Sequence, residues 1–229
     1  MTHHIDPLSD AKVIDSWRHN ATPWTEAVRD GRIESRRLIT DRAIVDAVMS
    51  RAPASVLDIG CGEGWLSREL AEKGVEVTGV DVVPELIDRA KKAGGANFTV
   101  ASYEEIAAGK IDLRVDVAVA NFALIGEESV AGVVQRAPLM LSDRGALIVQ
   151  TLHPVVAGGD QPYVDGWRRG SWAGFSDDFT DPAPWYFRTI ESWVSLIIAG
   201  GMNLVELREP LHPASGKPAS LILVAEPMR

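Results

Sequence analysis

The sequence predicts an α/β domain: a doubly wound, mostly parallel sheet of seven strands whose last strand runs antiparallel. Three observations carry this. From Pro53 onward, short and almost wholly apolar runs alternate with helical patterns, as in a parallel sheet covered on both faces. A glycine-rich turn, "GCGEG" at 60–64, joins the first such run to a helix. The last two runs, "MNLVELREP" and "ASLILVAEP", are joined by a short Pro/Gly-rich loop. That loop is too short for a crossover helix, so the final strand pairs antiparallel to its predecessor.

Taken in order, residues 9–50 read as helical, with a Ser start signal and apolar residues at helical spacing until Pro53 stops them. "SVLDIG" is the first strand, "GWLSRELAEKG" a helix closing on Gly74, and "VEVTGVD" the second strand. "PELIDRAKKAGG" starts on Pro84 and stops at a glycine pair, as helices prefer. "NFTVAS" is the third strand, "YEEIAAG" a short helix and "VDVAVANFAL" the fourth strand. "EESVAGVVQRAPLMLSD" reads as a helix that Pro138 bends, and "GALIVQTLH" as the fifth strand ending at His153. Residues 154–187 lack periodicity; "TIESWVSLIIAGG" then gives the last helix. This organisation divides the chain into an N-terminal helical cap (1–52) and a ligand-binding domain (53–229) carrying an inserted segment (154–187).

Bulk properties narrow the function. A chain of 229 residues with 46% hydrophobic content can bury a full core. The net charge of −9 argues against nucleic acid and anionic membrane as partners. The single cysteine, Cys61, forms no internal disulfide, which fits a reducing, cytoplasmic setting. The N-terminal "MTHHIDPLSD" lacks the apolar segment of a secretory signal, and its adjacent His3 and His4 carry no metal expectation. No carboxylate cluster for magnesium is evident, so no metal is expected.

The turn at 60–64 raises the question of its ligand. A strand, a glycine turn and a helix N-terminus form a binding site at the carboxyl edge of such a sheet. Dinucleotide enzymes share this arrangement, with an acidic residue about 20 positions on. Here Asp58 precedes the turn and Glu63 lies inside it. A pyrophosphate prefers an electropositive loop, so two carboxylates argue for a ligand without phosphate and with a cationic end. S-adenosylmethionine, with a sulfonium and an ammonium against one carboxylate, meets that description. Asp81, 21 residues after Gly60, ends the second strand where a carboxylate can accept both ribose hydroxyls. Adenosyl and nicotinamide ligands share that need.

At this point the chain resembles the class I S-adenosylmethionine-dependent methyltransferases. "VLDIGCGEGWLSREL" looks like their first motif, "VTGVDVVPELIDRA" their second, and "VDVAVANFAL" and "GALIVQTLHP" their fourth- and fifth-strand motifs. The terminal "FRTIESWVSLIIAGGMNLVELREP" resembles the closing helix and strand of the small-molecule enzymes related to ubiquinone biosynthesis. The resemblance spans about residues 53–226 and implies a Rossmann-like, seven-stranded sheet. It further implies that Asp58, Gly60 and Gly62 line the methionine end, with the Cys61 backbone facing the ligand. Asp81 would hold the ribose and Val82 lie beside the adenine. Ser102 and Tyr103 follow the third strand, Ser102 standing where the family often has an adenine-binding aspartate. Asn121 and Phe122 would lie near the methionine moiety and the methyl group.

Four further features are candidates. The basic cluster "RIESRR" at 32–37 precedes the first strand, where the family often folds a helical flap over the cofactor. Arg36 or Arg37 could there pair bidentately with the methionine carboxylate. Trp17 and Trp24 lie seven apart and share a helix face if the helix is continuous. The segment 154–187 holds eight of the fifteen aromatics. A long loop of this kind tends to be a lid or binding loop, and a structural or dimer-forming insertion is the other reading, so a homodimer stays open. Its composition points to an apolar or aromatic small-molecule acceptor. His153, at the carboxyl edge, is the candidate general base. "NFAL" after the fourth strand is not the Asn/Asp-Pro-Pro-aromatic motif of amino-methylating DNA enzymes. The expectation is in-line methyl transfer from S-adenosylmethionine to a small molecule. A nicotinamide-dependent oxidoreductase and a non-catalytic S-adenosylmethionine-binding protein are the alternatives.

Overall fold

A computed structural model describes residues 5–229, so His3 and His4 lie outside the described residues. The chain opens with α1 (Asp10–His19) and α2 (Ala21–Arg29), and a π-helical turn over Arg36–Thr40 leads into α3 (Asp41–Met49). Then come β1 (Ser55–Ile59), α4 (Trp65–Ala71), β2 (Glu76–Asp81), α5 (Pro84–Ala93) and β3 (Asn97–Val100). α6 (Tyr103–Ala107), β4 (Val115–Asn121), α7 (Glu128–Met140) and β5 (Leu141–Thr151) follow. The remainder is α8 (Pro154–Ala157), β6 (Gly166–Arg168), β7 (Trp185–Phe187), α9 (Ile190–Ala199), β8 (Met202–Arg208) and β9 (Leu221–Pro227).

The main sheet has seven strands in the order β3-β2-β1-β4-β5-β9-β8. β9 slots between β5 and β8 and runs antiparallel to both, as the short loop before it requires. The strands are apolar on both faces because both are covered. Leu57 and Ile59 of β1 point to a core shared with α6, α7 and α9. Val56 points to the opposite core, built with α3 and α4. Ile44, Val45, Ala47 and Val48 of α3 belong to that second core, so the third N-terminal helix covers the sheet, while α1 and α2 cap its edge.

Two parts of the chain differ most from expectation. The helix expected to run to residue 143 stops at Met140, and β5 begins at Leu141. Pro138 supplies no N–H to the ladder near that end. Extended backbone buries Leu141 opposite Val115, and the Ser142 hydroxyl bonds Asp116 at 2.9 Å. The register then shifts between Val115 and Val117. The inserted segment is also less irregular than its sequence: it forms α8 and an antiparallel β6–β7 pair.

Candidate ligand site

A cavity of about 510 Å³ opens at the carboxyl edge of the sheet, where the chain crosses from β1, β2, β4 and β5 into the following segments. Gly60, Cys61 and Gly62 after β1, Asp81 and Val82 at the end of β2, Tyr103, and Asn121 and Phe122 at the end of β4 all line it. The glycine at 60 is required by space: φ is +71°, and a Cβ there would sit 2.4 Å from the Cβ of Ala123. Phe122 has φ of +52°, an uncommon conformation for a bulky residue that turns the chain sharply off β4.

The loop amides are committed inward. Gly60 N and Cys61 N donate to the Val80 carbonyl at 2.8 and 3.0 Å, and Gly64 N donates to the Cys61 carbonyl at 3.0 Å. Gly62 N donates to Asp81 Oδ2 at 2.9 Å, while Val83 N donates to Oδ1 at 2.9 Å. Burial raises the Asp81 pKa, and these backbone bonds oppose the rise. Four of the loop N–H groups are therefore already bonded within the chain.

The charge of the loop is not what its composition implied. Glu63 is 1% exposed and bonded by Arg29 Nε at 2.8 Å and Arg68 Nη2 at 2.8 Å. Burial pushes the Asp58 carboxyl up to about 7, against the Ser67 hydroxyl that donates to it at 2.7 Å. The expectation that two bare carboxylates repel a pyrophosphate is thus corrected: one is neutralised by arginines and the other is buried beneath the loop.

Three expected site residues are not brought to the cavity. Asp58 faces Ser67 of α4 and supports the loop from behind. Ser102 caps α6, its hydroxyl accepting from Glu105 N while Glu105 reaches back to Ser102 N. Its side chain is used by the helix start, and the neighbouring Tyr103 takes the cavity position, donating to the Ala123 carbonyl at 2.9 Å. His153 lies two residues beyond β5, is 3% exposed, and bonds Glu209 Oε1 through Nε2 at 2.7 Å. It ties the start of the insertion to the β8–β9 connection and does not line the cavity. Among the described residues the cavity lining includes no histidine or lysine.

Arg36 is brought in. Its guanidinium lies 4.6 Å from the Trp65 ring centroid and 5.8 Å from that of Trp24. Nε donates to Asp41 at 2.9 Å, while Nη2 is buried without a hydrogen-bond partner among the described residues. Such an orphan donor in a cavity wall is costly unless a ligand satisfies it, and a carboxylate is the natural complement.

The cover has two parts. Trp17 and Trp24 meet edge-to-face at 5.0 Å across the break between α1 and α2, so they share a surface without a continuous helix. Trp172 and Phe175 of the insertion pack against Trp17 and Trp24 respectively, and all four line the cavity. Fully buried Asn20 joins the two parts: its side chain donates to the Thr180 carbonyl at 2.7 Å and accepts from Thr180 N at 2.9 Å. Lys12 pairs with Asp181 beside it. Sequence reading missed Asp10, which lines the cavity and accepts from Glu127 N at 2.8 Å and Ser129 N at 3.0 Å, capping α7 from a distant segment. No local pattern could have signalled that contact.

This sheet order and its site define the fold of the class I S-adenosylmethionine-dependent methyltransferases. Residues 56–145 match the sequence profile of a methyltransferase domain. Magnesium-protoporphyrin O-methyltransferase of Rhodobacter capsulatus is 36% identical over 96 residues, 39% of this chain and 41% of that protein. Ubiquinone biosynthesis O-methyltransferase of Xanthomonas oryzae is 41% identical over 69 residues, 28% of this chain and 29% of that one. The chain thus spans less than half the length of these curated relatives. The crystal structure of Burkholderia thailandensis 1,6-didemethyltoxoflavin-N1-methyltransferase, with its substrate and S-adenosylhomocysteine bound, superposes with a TM-score of 0.64. That match covers 100% of this chain and 93% of the other at 20% identity, a likeness of fold.

Proposed function

We propose that the chain transfers the methyl group of S-adenosylmethionine to a small, apolar or aromatic acceptor. The carrying observation is Arg36, a buried guanidinium with an unsatisfied donor in the wall of a cavity built by a methyltransferase domain. In this reading Arg36 receives the methionine carboxylate and Asp81 the ribose hydroxyls, with Val82 beside the adenine and Asn121 and Phe122 near the methionine moiety and the methyl group. Bound there, the sulfonium supplies an already reactive methyl donor. The protein's part is then to hold the two partners in line and exclude water. Trp17, Trp172 and Trp185, with Val13, Ile14 and Ile125, form the apolar wall for the acceptor. With His153 held outside, positioning takes precedence over general-base catalysis. The insertion packs its aromatics on its own chain's N-terminal helices, which supports a substrate cover over a dimer-forming element. The acidic net charge and the lone buried Cys61 support a small molecule over nucleic acid, in a cytoplasmic setting.

Calorimetric titration with S-adenosylhomocysteine, with NADH in parallel, tests the reading. Micromolar binding of the first and none of the second is expected; the reverse restores the oxidoreductase reading. Conversion of any aromatic or lipophilic hydroxyl or amine in an acceptor screen then separates an enzyme from a non-catalytic binding protein.

A further inference from the structure

Gln150 of β5 is 1% exposed, does not line the cavity, and is the register partner of Asn121 on β4. Its Nε2 donates to the Thr40 carbonyl at 3.1 Å and to Asn121 Oδ1 at 2.9 Å. Thr40 ends the π-helical turn that Arg36 begins. A single-turn π segment of this kind is frequent at functional sites, and here Gln150 pins it to the sheet.

These bonds fix which way each amide points. A backbone carbonyl only accepts, so the Gln150 nitrogen must face Thr40. The second hydrogen of that nitrogen goes to Asn121, which must answer with its oxygen. The Asn121 NH2 is the end that remains for the cavity it lines. Gln150 therefore ties two donors into one unit: the Asn121 amide and the Arg36 guanidinium, whose Nη2 is without a partner among the described residues. Both groups can only donate from those ends, which suits an anionic oxygen and penalises a group that must itself donate.

We propose that Gln150 is a positioning residue that locks the Asn121 amide with its NH2 toward the ligand, so that Arg36 and Asn121 together read a carboxylate. On the cofactor reading above, on which this rests, that carboxylate is the amino-acid end of the adenosyl ligand. The acceptor molecule need carry no anionic group.

The test compares two probes by titration calorimetry: S-adenosylhomocysteine, and 5′-methylthioadenosine, which keeps the nucleoside and thioether and lacks the amino acid. Gln150→Met removes both donated bonds at similar volume and leaves Asn121 free to turn. Affinity for S-adenosylhomocysteine should fall about tenfold or more, and affinity for 5′-methylthioadenosine by no more than about twofold, as expected for one lost charge-assisted bond. Asn121→Asp, which still accepts from Gln150 but turns an oxygen to the cavity, should give the same selective loss; it keeps the test alive if Gln150→Met does not fold. Equal losses for both probes would reduce Gln150 to a structural role, and no loss would overturn the proposal. A wild-type protein that binds neither probe would overturn the cofactor reading itself, a result distinguishable from the failure of Gln150 alone.

Discussion

Asp81 is held by two backbone N–H groups in the cavity wall, so its carboxylate is oriented before any ligand arrives. Asp81→Ala should weaken S-adenosylhomocysteine binding by one to two orders of magnitude, since a charge-assisted hydrogen bond is worth about 1.5–3 kcal/mol. Unchanged affinity in calorimetry would remove the ribose role. Asp58 makes a prediction about pH. Its folded pKa, pushed up to about 7, lies above the ordinary value of 3.8. Below about pH 3 the group is neutral whether folded or unfolded, and its contribution is complete. As pH rises from about 4 toward 7 the unfolded chain ionises first, and stability is lost. Asn at this position keeps the shape and can still accept from Ser67, so Asp58→Asn should flatten the fall in Tm across that window. A slope identical to wild type would show that Asp58 does not carry it. The placements of Asp58 and Asp81 were legible in the sequence to different degrees. A carboxylate closing a strand before a glycine turn marks a site, but which of two points into the cavity depends on Ser67, nine residues away on a helix.

Among elements, the sheet was legible because its strands are nearly continuous apolar runs, a pattern that arises when both faces of a parallel sheet are covered. The antiparallel last strand followed from loop length alone. The insertion was not legible: β6 and β7 are three residues each and pair across an intervening stretch, so no local period marks them. Nor was the latch between α1–α2 and the insertion, whose partners lie 160 residues apart. Asn20→Ala removes hydrogen bonds to both the N–H and the C=O of Thr180. The loss of about 1–2 kcal/mol should raise the rate of limited proteolysis within residues 165–185 by about tenfold. The β1–β4 core should remain resistant. Cleavage at the wild-type rate would mean that the aromatic cluster alone holds the cover.

At the scale of the whole molecule, a ligand that binds only the folded state stabilises it by mass action. S-adenosylhomocysteine at about 100 times its Kd contributes about 2.7 kcal/mol. For a chain of this size that corresponds to a Tm increase of about 5–10 °C. Differential scanning fluorimetry reads this directly. NADH at the same concentration should leave Tm in place.

Asp10 caps α7 across 117 residues of sequence, and Asn20 reaches the insertion across 160. Both contacts close long loops, and such non-local contacts carry the largest loop-closure cost as a chain folds. In the folded protein, α1, α2 and the segment around Thr180 can unfold as one unit while the sheet persists. Their amides should exchange hydrogen together, faster than those of β1 and β4, and slow together once the nucleoside is bound. Opening of this wall of the cavity would then be a small, reversible unfolding reaction, and the stability of two helices would set how well the site excludes water.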